Sequence, residues 1–327
     1  MALDVMYTNG VIAAREKYLL KDKISRFAEL SAEEAFRALV ESGYGGGETV
    51  ANVYDYEKLV AQEERLVDEF ILEYAPSQAE RTYFLSPRDF HNVKALLKAT
   101  YLNESAEKML APDGEIPVPV LEKAVKEKDF SAFQESNPEL YKATQQALTA
   151  FEKKDVSGAE IGEIFERANA ERLFKVAGKN RTLKKLLERK IDMINLLTAF
   201  RAGEEEIAKS KYLPCGRLSE KTLGLVFDEN QENAENAFKN TDYENFVSRC
   251  FVAKKKGLPL TDAEKMLDSF ETDYFYEKRY ELKNKEPFLY YVFRRKAENA
   301  NVRIVFVCLL AGLKEQEIKR RLRCKGV

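Results

Sequence analysis

Apolar residues recur three and four positions apart along most of the chain, a pattern that predicts amphipathic α-helices. In the helix predicted after Ser86, four apolar residues fall on one face: Phe90, Val93, Leu97 and Tyr101. The alternation of apolar and polar residues that is typical of strands is scarce. The chain is therefore predicted to be all-α.

Helix starts are marked by local polar residues. Ser86, Pro87 and Asp89 predict a cap, a first-turn proline and an acid at the positive end of the helix dipole. Three hydroxyl residues precede a glutamate by three positions and predict capping boxes: Ser31, Thr241 and Thr261.

A run of ten apolar or small residues, 304–313, lies between Arg303 and Lys314. A helix needs roughly 20 predominantly apolar residues to cross a bilayer. The run is too short and is bounded by charges, so we expect the central, mostly buried helix of a bundle.

Three segments share an acid, two further residues, an asparagine and then an apolar helical run. They are DFHNVKALLKATYL from Asp89, DMINLLTAFRAGEEEI from Asp192 and ENANVRIVFVCLLAGLKEQEI from Glu298. Their asparagines, Asn92, Asn195 and Asn301, are separated by 103 and 106 residues. Acids and asparagines are favoured in the first turn of a helix, so we expect a structural role near the starts of three corresponding helices.

A second feature follows the first two copies. The segments LAPDGEIPVPVL and LPCGRLSEKTL place Gly114 and Gly216 102 residues apart. Two features with one period predict three related helical bundles. Only 15 residues follow Gly312, so we expect the two chain ends to complete one bundle together. The predicted domains are 1–55 with 262–327, then 56–160, then 161–261.

Composition narrows the class of protein. The 55 acidic residues nearly balance the 53 basic ones, so no nucleic-acid partner is predicted. Four widely spaced cysteines without a C-x-x-C pair, and one histidine, support neither a zinc site nor a disulfide framework. The segment MALDVMYTNG lacks the features of a signal peptide. We expect a reducing, cytoplasmic setting.

Few segments resemble a site of chemistry. The glycine-rich stretch Gly43–Gly47 is followed by Glu48 instead of the lysine and hydroxyl of a phosphate loop, and a flexible turn or hinge is predicted. His91 has no histidine partner, and FDENQENAENAF lacks the ligand spacing of a calcium loop. An isoprenoid-type synthase would need a DDxxD motif, which does not occur. We therefore predict no catalytic residue, no cofactor-binding residue, no cofactor and no metal ligand.

Two basic segments stand out: KNRTLKKLLERK from Lys179 and KRRLRCK from Lys319. Solvated surface is the expectation for both. The alternative is a site for an acidic protein patch or for phospholipid headgroups.

Several segments, taken in order, resemble the C-type subunit of bacterial and archaeal V/A-type rotary ATPases, which is related to the d-type subunit of the eukaryotic V-ATPase. They are LLKDKISRFAELSAEEAFRALVESGYG, ERTYFLSPRDFHNVKALLKATYL, KNRTLKKLLERKIDMINLLTAFRA, LPCGRLS and EPFLYYVFRRKAENANVRIVFVCLLAG. No one of them is diagnostic, but the ordered series covers essentially the whole chain.

The resemblance implies three similar helical bundles in a pseudo-threefold, funnel-like arrangement. It implies a non-catalytic central-stalk subunit, a collar that couples the rotor shaft to the membrane proteolipid (c/K) ring. ATP hydrolysis or synthesis would thereby be linked to proton or sodium transport. The implied partners are the shaft subunits and the ring, and the implied location is cytoplasmic, peripheral at the inner face of the membrane. From the residues alone, an all-helical scaffold or adaptor protein remains the alternative.

Overall fold

The computed structural model describes residues 4–48, 50–153, 156–178, 180–228 and 231–324. No β-strand occurs in these ranges, which confirms the all-α prediction. The helices, in chain order, are α1 Val5–Arg15, α2 Lys23–Phe27, α3 Ala32–Glu41, α4 Tyr56–Tyr74, α5 Gln78–Leu102, α6 Val118–Glu127, α7 Ser131–Gln134, α8 Pro138–Phe151, α9 Gly158–Ala177, α10 Arg181–Arg201, α11 Glu205–Lys211, α12 Glu220–Gly224, α13 Gln231–Phe238, α14 Glu244–Lys256, α15 Thr261–Phe275, α16 Glu286–Leu310 and α17 Glu315–Arg321. Short 3₁₀ turns cover Glu16–Tyr18, Val53–Asp55, Glu107–Met109, Leu225–Phe227 and Tyr276–Lys278.

The chain divides into two compact units. The terminal unit consists of Met1–Gln78 and Glu264–Val327, and the central unit of Ala79–Ala263. Helix α15 begins in the central unit and continues into the terminal one. The finer division into three domains, 1–55 with 262–327, 56–160 and 161–261, stays a prediction.

Helix α16 is the axis of the terminal unit and contacts α1, α2, α3, α4 and α17. The apolar run predicted to be a buried helix forms its last turns, where Val305 and Phe306 are fully buried. Gly312, at φ +71°, ends the helix: its amide donates to Leu309 O and the amide of Leu313 to Cys308 O, a Schellman motif. No helix in the described ranges has both the length and the apolar character needed to cross a bilayer.

Aromatic packing holds α16 to its neighbours. The Phe306 ring stacks on Tyr56 of α4 at a centroid distance of 5.1 Å and meets Phe36 of α3 edge-on at 6.3 Å. Charged contacts lie at the edge of this core, where Arg303 donates to Glu57 at 3.0 Å and to Glu64 at 2.7 Å. Because α3 and α4 come from the first part of the chain, this core joins the two chain ends.

The central unit is built around helix pairs. Helix α8 lies against α9, and α9 packs on α10. Ala143 and Ala147 of α8 are fully buried, and such small side chains let the helix backbones approach closely. Phe90 and Val93 of α5 share a core cluster with Phe165 of α9. Helix α10 also contacts α11, α12 and α14.

The capping predictions have mixed outcomes. Ser31 forms the predicted capping box with Glu34. The helix start at Ser86 is wrong, because α5 begins at Gln78 and continues through Pro87. Proline in a helix interior removes one backbone hydrogen bond and normally costs about 3 kcal/mol. Buried residues on both sides of the proline, including Leu85 and Phe90, show that tertiary packing outweighs this local preference.

The other two predicted boxes are not formed as expected. Helix α14 begins at Glu244, whose carboxylate accepts from the amide of Asn240 at 2.8 Å instead of that of Thr241. Thr261 is the first residue of α15, whereas the prediction placed it before the helix.

Replacing Phe306 with alanine removes a fully buried ring. We expect the free energy of unfolding to fall by about 3–5 kcal/mol, as is typical for a buried phenylalanine. The next residue, Val307, is 56% exposed, so Val307→Ala is a matched control expected to change it by about 0.5 kcal/mol or less. Urea unfolding followed by circular dichroism measures both, and equal losses would contradict the packing described.

Candidate functional site

The repeated acids and asparagines lie inside helices and not at their starts. Asn92, Asn195 and Asn301 fall in the second halves of α5, α10 and α16, and all three are buried. The prediction that they lie near helix starts, in first-turn roles, is therefore wrong. Their side chains instead bind segments of backbone that return to the helix.

The side-chain amide of each asparagine forms two hydrogen bonds with the backbone of a single residue. Its Oδ1 accepts from the residue's N–H, and its Nδ2 donates to the same residue's carbonyl. We call this arrangement a clasp. Asn92 binds Ala111, with an amide-to-Oδ1 distance of 2.8 Å and an Nδ2-to-carbonyl distance of 3.2 Å. For Asn195 and Leu213 the same two distances are 2.7 and 2.9 Å. For Asn301 and Arg323 they are 2.8 and 2.9 Å.

The acid one turn before each of the first two asparagines binds the same returning loop further along. Asp89 accepts from the amides of Glu115 at 3.2 Å and Ile116 at 3.1 Å. In the second copy, Asp192 accepts from the amides that follow Gly216: Arg217 at 2.8 Å and Leu218 at 2.9 Å. The acid and the asparagine together therefore fix both ends of a loop.

The repeated glycines now have a physical explanation. A β-carbon on Gly114 would overlap the carboxylate of Asp89 and also crowd the carbonyl oxygen of Leu85. A β-carbon on Gly216 would overlap the carboxylate of Asp192. Only glycine lets the loop backbone approach the buried acid closely enough for its amides to donate.

In the third copy the acid is Glu298, and the segment bound to it comes from the other end of the chain. Its Oε1 accepts from the amide of Lys21 at 3.2 Å and from Arg294 Nε at 3.1 Å. Since Asn301 clasps Arg323, one stretch of α16 binds backbone near both ends of the chain. This is a direct connection of the kind expected if the termini complete one bundle together.

Burial changes the protonation of the acids. Burial raises the pKa of Asp89 to about 7, although its two backbone hydrogen bonds act in the opposite direction. Burial also raises the pKa of Asp192, opposed by the hydrogen bond that Tyr243 donates at 2.5 Å. The raised pKa places the titration of Asp89, and not that of an ordinary surface aspartate, near neutral pH.

A buried ion network, which sequence reasoning missed, lies next to the third copy. The Arg295 guanidinium pairs with Glu63 of α4 and, at 3.4 Å, with Glu298. Arg295 Nη1 also donates to the Tyr18 carbonyl at 3.3 Å. The only sequence signal was the charged stretch RRKAEN inside an otherwise aromatic and apolar helix.

The glycine-rich segment forms a turn, as predicted, and it is bound to this network. The amide of Gly45 donates to Glu63 Oε2 at 2.8 Å, and the Tyr44 hydroxyl donates to Asn299 Oδ1 at 2.7 Å. Gly45 has φ +81°, and a β-carbon there would lie 2.9 Å from Leu59 Cδ2. Gly45 therefore permits a tight approach of the turn to α4.

The remaining candidates are structural contacts. His91 is exposed, and its Nε2 lies 2.8 Å from Met109 O. Part of FDENQENAENAF forms α13, whose Ala234 and Phe238 are buried, while residues 229 and 230 lie outside the described residues. Across the described part of the chain, no cluster of metal-binding side chains occurs.

Some side chains of the two basic segments form ion pairs within their own units. Lys319 binds Glu29 at 2.5 Å, and Arg323 binds Asp268 at 2.7 Å. In the other segment, Arg189 lies 3.3 Å from Asp242, and Lys179 is outside the described residues. These pairings satisfy part of the basic charge of each segment within the protein.

The protein is thus built of packed helices, and in each repeat a non-helical segment folds back and is hydrogen-bonded to a helix. The ATP synthase (C/AC39) subunit family model matches residues 8–321, nearly the whole chain. The chain therefore belongs to this family, and it is a subunit of a V/A-type rotary ATPase that associates with other subunits of the complex. A search of curated proteins found no match.

Replacing Asn195 with alanine should loosen the loop that it clasps. The amide and carbonyl of Leu213 would lose their partners, which typically costs about 1–3 kcal/mol when the groups are buried. We expect faster hydrogen exchange at the Leu213 amide, measured by NMR. Asn195→Asp should act in the same direction, because a carboxylate cannot donate to the carbonyl. Asn236→Ala, at an exposed position of α13, is the control, and unchanged exchange in both Asn195 variants would refute the clasp.

The raised pKa of Asp89 predicts a pH dependence of stability. Its folded-state pKa of about 7 lies above the ordinary value of 3.8, so folding favours the protonated carboxyl. The resulting stability is fully present below pH 3.8, is lost progressively as the pH rises from there to about 7, and changes no further above that. Between pH about 4 and about 7, the unfolding midpoint of the wild type should fall relative to that of Asp89→Asn. If the difference between the two unfolding midpoints does not change with pH, or changes in the opposite direction, the raised pKa of Asp89 is contradicted.

Proposed function

We propose that the chain is a non-catalytic collar in the central stalk of a V/A-type ATPase, joining the rotor shaft to the membrane proteolipid ring. The observation that carries this proposal is the family match over residues 8–321. In this role the chain binds neither nucleotide nor metal, and catalysis belongs to other subunits. Its task is to make shaft and ring turn as one body, so that ATP hydrolysis or synthesis is linked to proton or sodium transport.

The clasps support this proposal because a coupling element must resist deformation under torque. Loops are usually the softest parts of a helical protein. Here three returning segments are each fixed by two hydrogen bonds from an asparagine in the second half of a long helix. A segment held at both its amide and its carbonyl cannot slide along the helix without losing both bonds, which favours transmission of force over its dissipation.

We also propose that the three clasped helices mark three related bundles arranged about a pseudo-threefold axis. The repeated acid, asparagine and returning segment support this arrangement, since α5, α10 and α16 each use the same two positions. The chain would lie at the inner face of the membrane, held there through the ring.

The proposal predicts that removing the chain uncouples the enzyme. In vesicles reconstituted from the other subunits of the same complex, ATP hydrolysis should persist when this chain is omitted, while ATP-driven ion uptake should fall to background. Adding the purified chain back should restore uptake. Paired ATPase and ion-uptake assays measure both quantities on the same vesicles.

Two outcomes would count against the proposal. Coupled uptake that is unaffected by omission would show that the chain is not the connection. Co-purification of the tagged chain with proteins outside the ATPase, and with none of its subunits, would favour the adaptor alternative instead.

A further inference from the structure

A pocket of about 300 Å³ lies in the terminal unit beside the buried ion network. Its floor is apolar and aromatic and is formed by the buried side chains of Val67, Phe70 and Tyr291. Its rim carries the exposed side chain of Tyr18 and the exposed backbone of Gly46. A volume of this size is at the lower end of ligand-binding pockets and fits one or two side chains rather than a large cofactor.

The charges around the pocket are not balanced. Inside it, Arg295 is neutralised by Glu63 and also pairs with Glu298. Arg15 also lines the pocket, is half-buried, and has no carboxylate within ion-pair distance among the residues described. The pocket therefore holds one guanidinium that forms no ion pair with the residues that the structure describes.

Aromatic rings hold the Arg15 guanidinium in place. Its Cζ lies 5.1 Å from the centroid of Phe70 and 5.4 Å from that of Tyr74. Arg15 shares the pocket lining with Tyr291, whose pKa burial raises to about 12, although the charge of Arg15 acts in the opposite direction. A guanidinium packed against rings loses little further freedom when it binds an anion, which makes it a preorganised anion-binding group.

The surface next to the pocket is suited to a protein. Tyr18 is 56% exposed and Tyr7 57%, and the Tyr7 ring lies 6.4 Å from that of Tyr74, which also contacts Arg15. Exposed aromatic side chains around an arginine anchor are typical of the energetically important centres of protein interfaces.

We propose that this pocket receives a carboxylate with an adjacent apolar side chain, presented by another subunit of the ATPase. The carboxylate pairs with Arg15, and the apolar group lies on Phe70 and Val67. A planar carboxylate matches the two parallel N–H groups of a guanidinium, whereas the apolar floor disfavours a strongly hydrated anion such as phosphate. The inference rests on the proposed function for the identity of its partner.

The test is binding of the purified full-length chain to the shaft subunits and, separately, to the purified proteolipid ring, by biolayer interferometry. Arg15→Gln removes the charge and should weaken binding to one of these partners by about tenfold or more. Lys17→Gln is the matched control, because Lys17 is exposed nearby, rests on Tyr18 and does not line the pocket. It should bind like the wild type.

A second variant separates shape from charge. Leu66 is half-buried and lines the pocket, so Leu66→Phe fills space there without altering charge or a fully buried position. It should weaken the same interaction. The small acid 3-phenylpropionate should compete for the site in the wild type, whereas its neutral amide should not.

The outcomes separate this inference from the proposed function. If the wild type binds shaft or ring and Arg15→Gln binds both equally well, the pocket proposal is wrong and the collar role stands. If the wild type binds neither partner, the collar role fails and the pocket proposal falls with it. If 3-phenylpropionate alone binds as tightly as a shaft or ring preparation does, the pocket takes a free small acid, which overturns the assignment to a protein partner.

Discussion

The structure depends on one polar interaction, in which an asparagine side chain hydrogen-bonds to backbone groups that have no backbone partner. A loop that runs along a helix presents amides and carbonyls that no strand or helix satisfies, and leaving them unpaired in a buried position is costly. The primary amide of asparagine offers a donor and an acceptor with the spacing of a peptide group. Asn92, Asn195 and Asn301 each satisfy both groups of one returning residue, and so hold a non-helical segment about 20 residues further along the chain against the helix.

The acid of each repeat binds a backbone segment, and this segment is an internal loop in two copies and lies near a chain terminus in the third. In the central unit the loop follows the helix directly, and aspartate with a neighbouring glycine gives a close approach, as at Asp89 and Gly114. In the terminal unit the bound segment comes from the beginning of the chain. There Glu298 is one methylene longer and also neutralises arginines of its own helix.

The fold class and the repeated segments could be predicted from the sequence because both depend on periodic features, namely helical spacing and a nearly equal separation of Asn92, Asn195 and Asn301. Sequence reasoning misplaced the role of those asparagines, because local preference favours asparagine at helix ends while their partners lie about 20 residues away. Local preference also predicted a helix start at Ser86, whereas tertiary packing keeps α5 helical on both sides of Pro87. The pocket at Arg15 was not predictable, since it assembles residues from both ends of the chain.

If the clasps stiffen a connection that carries torque, their loss should be visible in the motion of the ring. Single-molecule recording of the ring's angular position during ATP-driven rotation tests this most directly, comparing wild type with a variant in which Asn92, Asn195 and Asn301 are all alanine, and with the exposed Asn236→Ala control. We expect broader angular fluctuation of the ring in the triple variant at an unchanged rate of ATP hydrolysis. Fluctuations as narrow as those of the wild type, in a triple variant that assembles fully, would contradict the stiffening role.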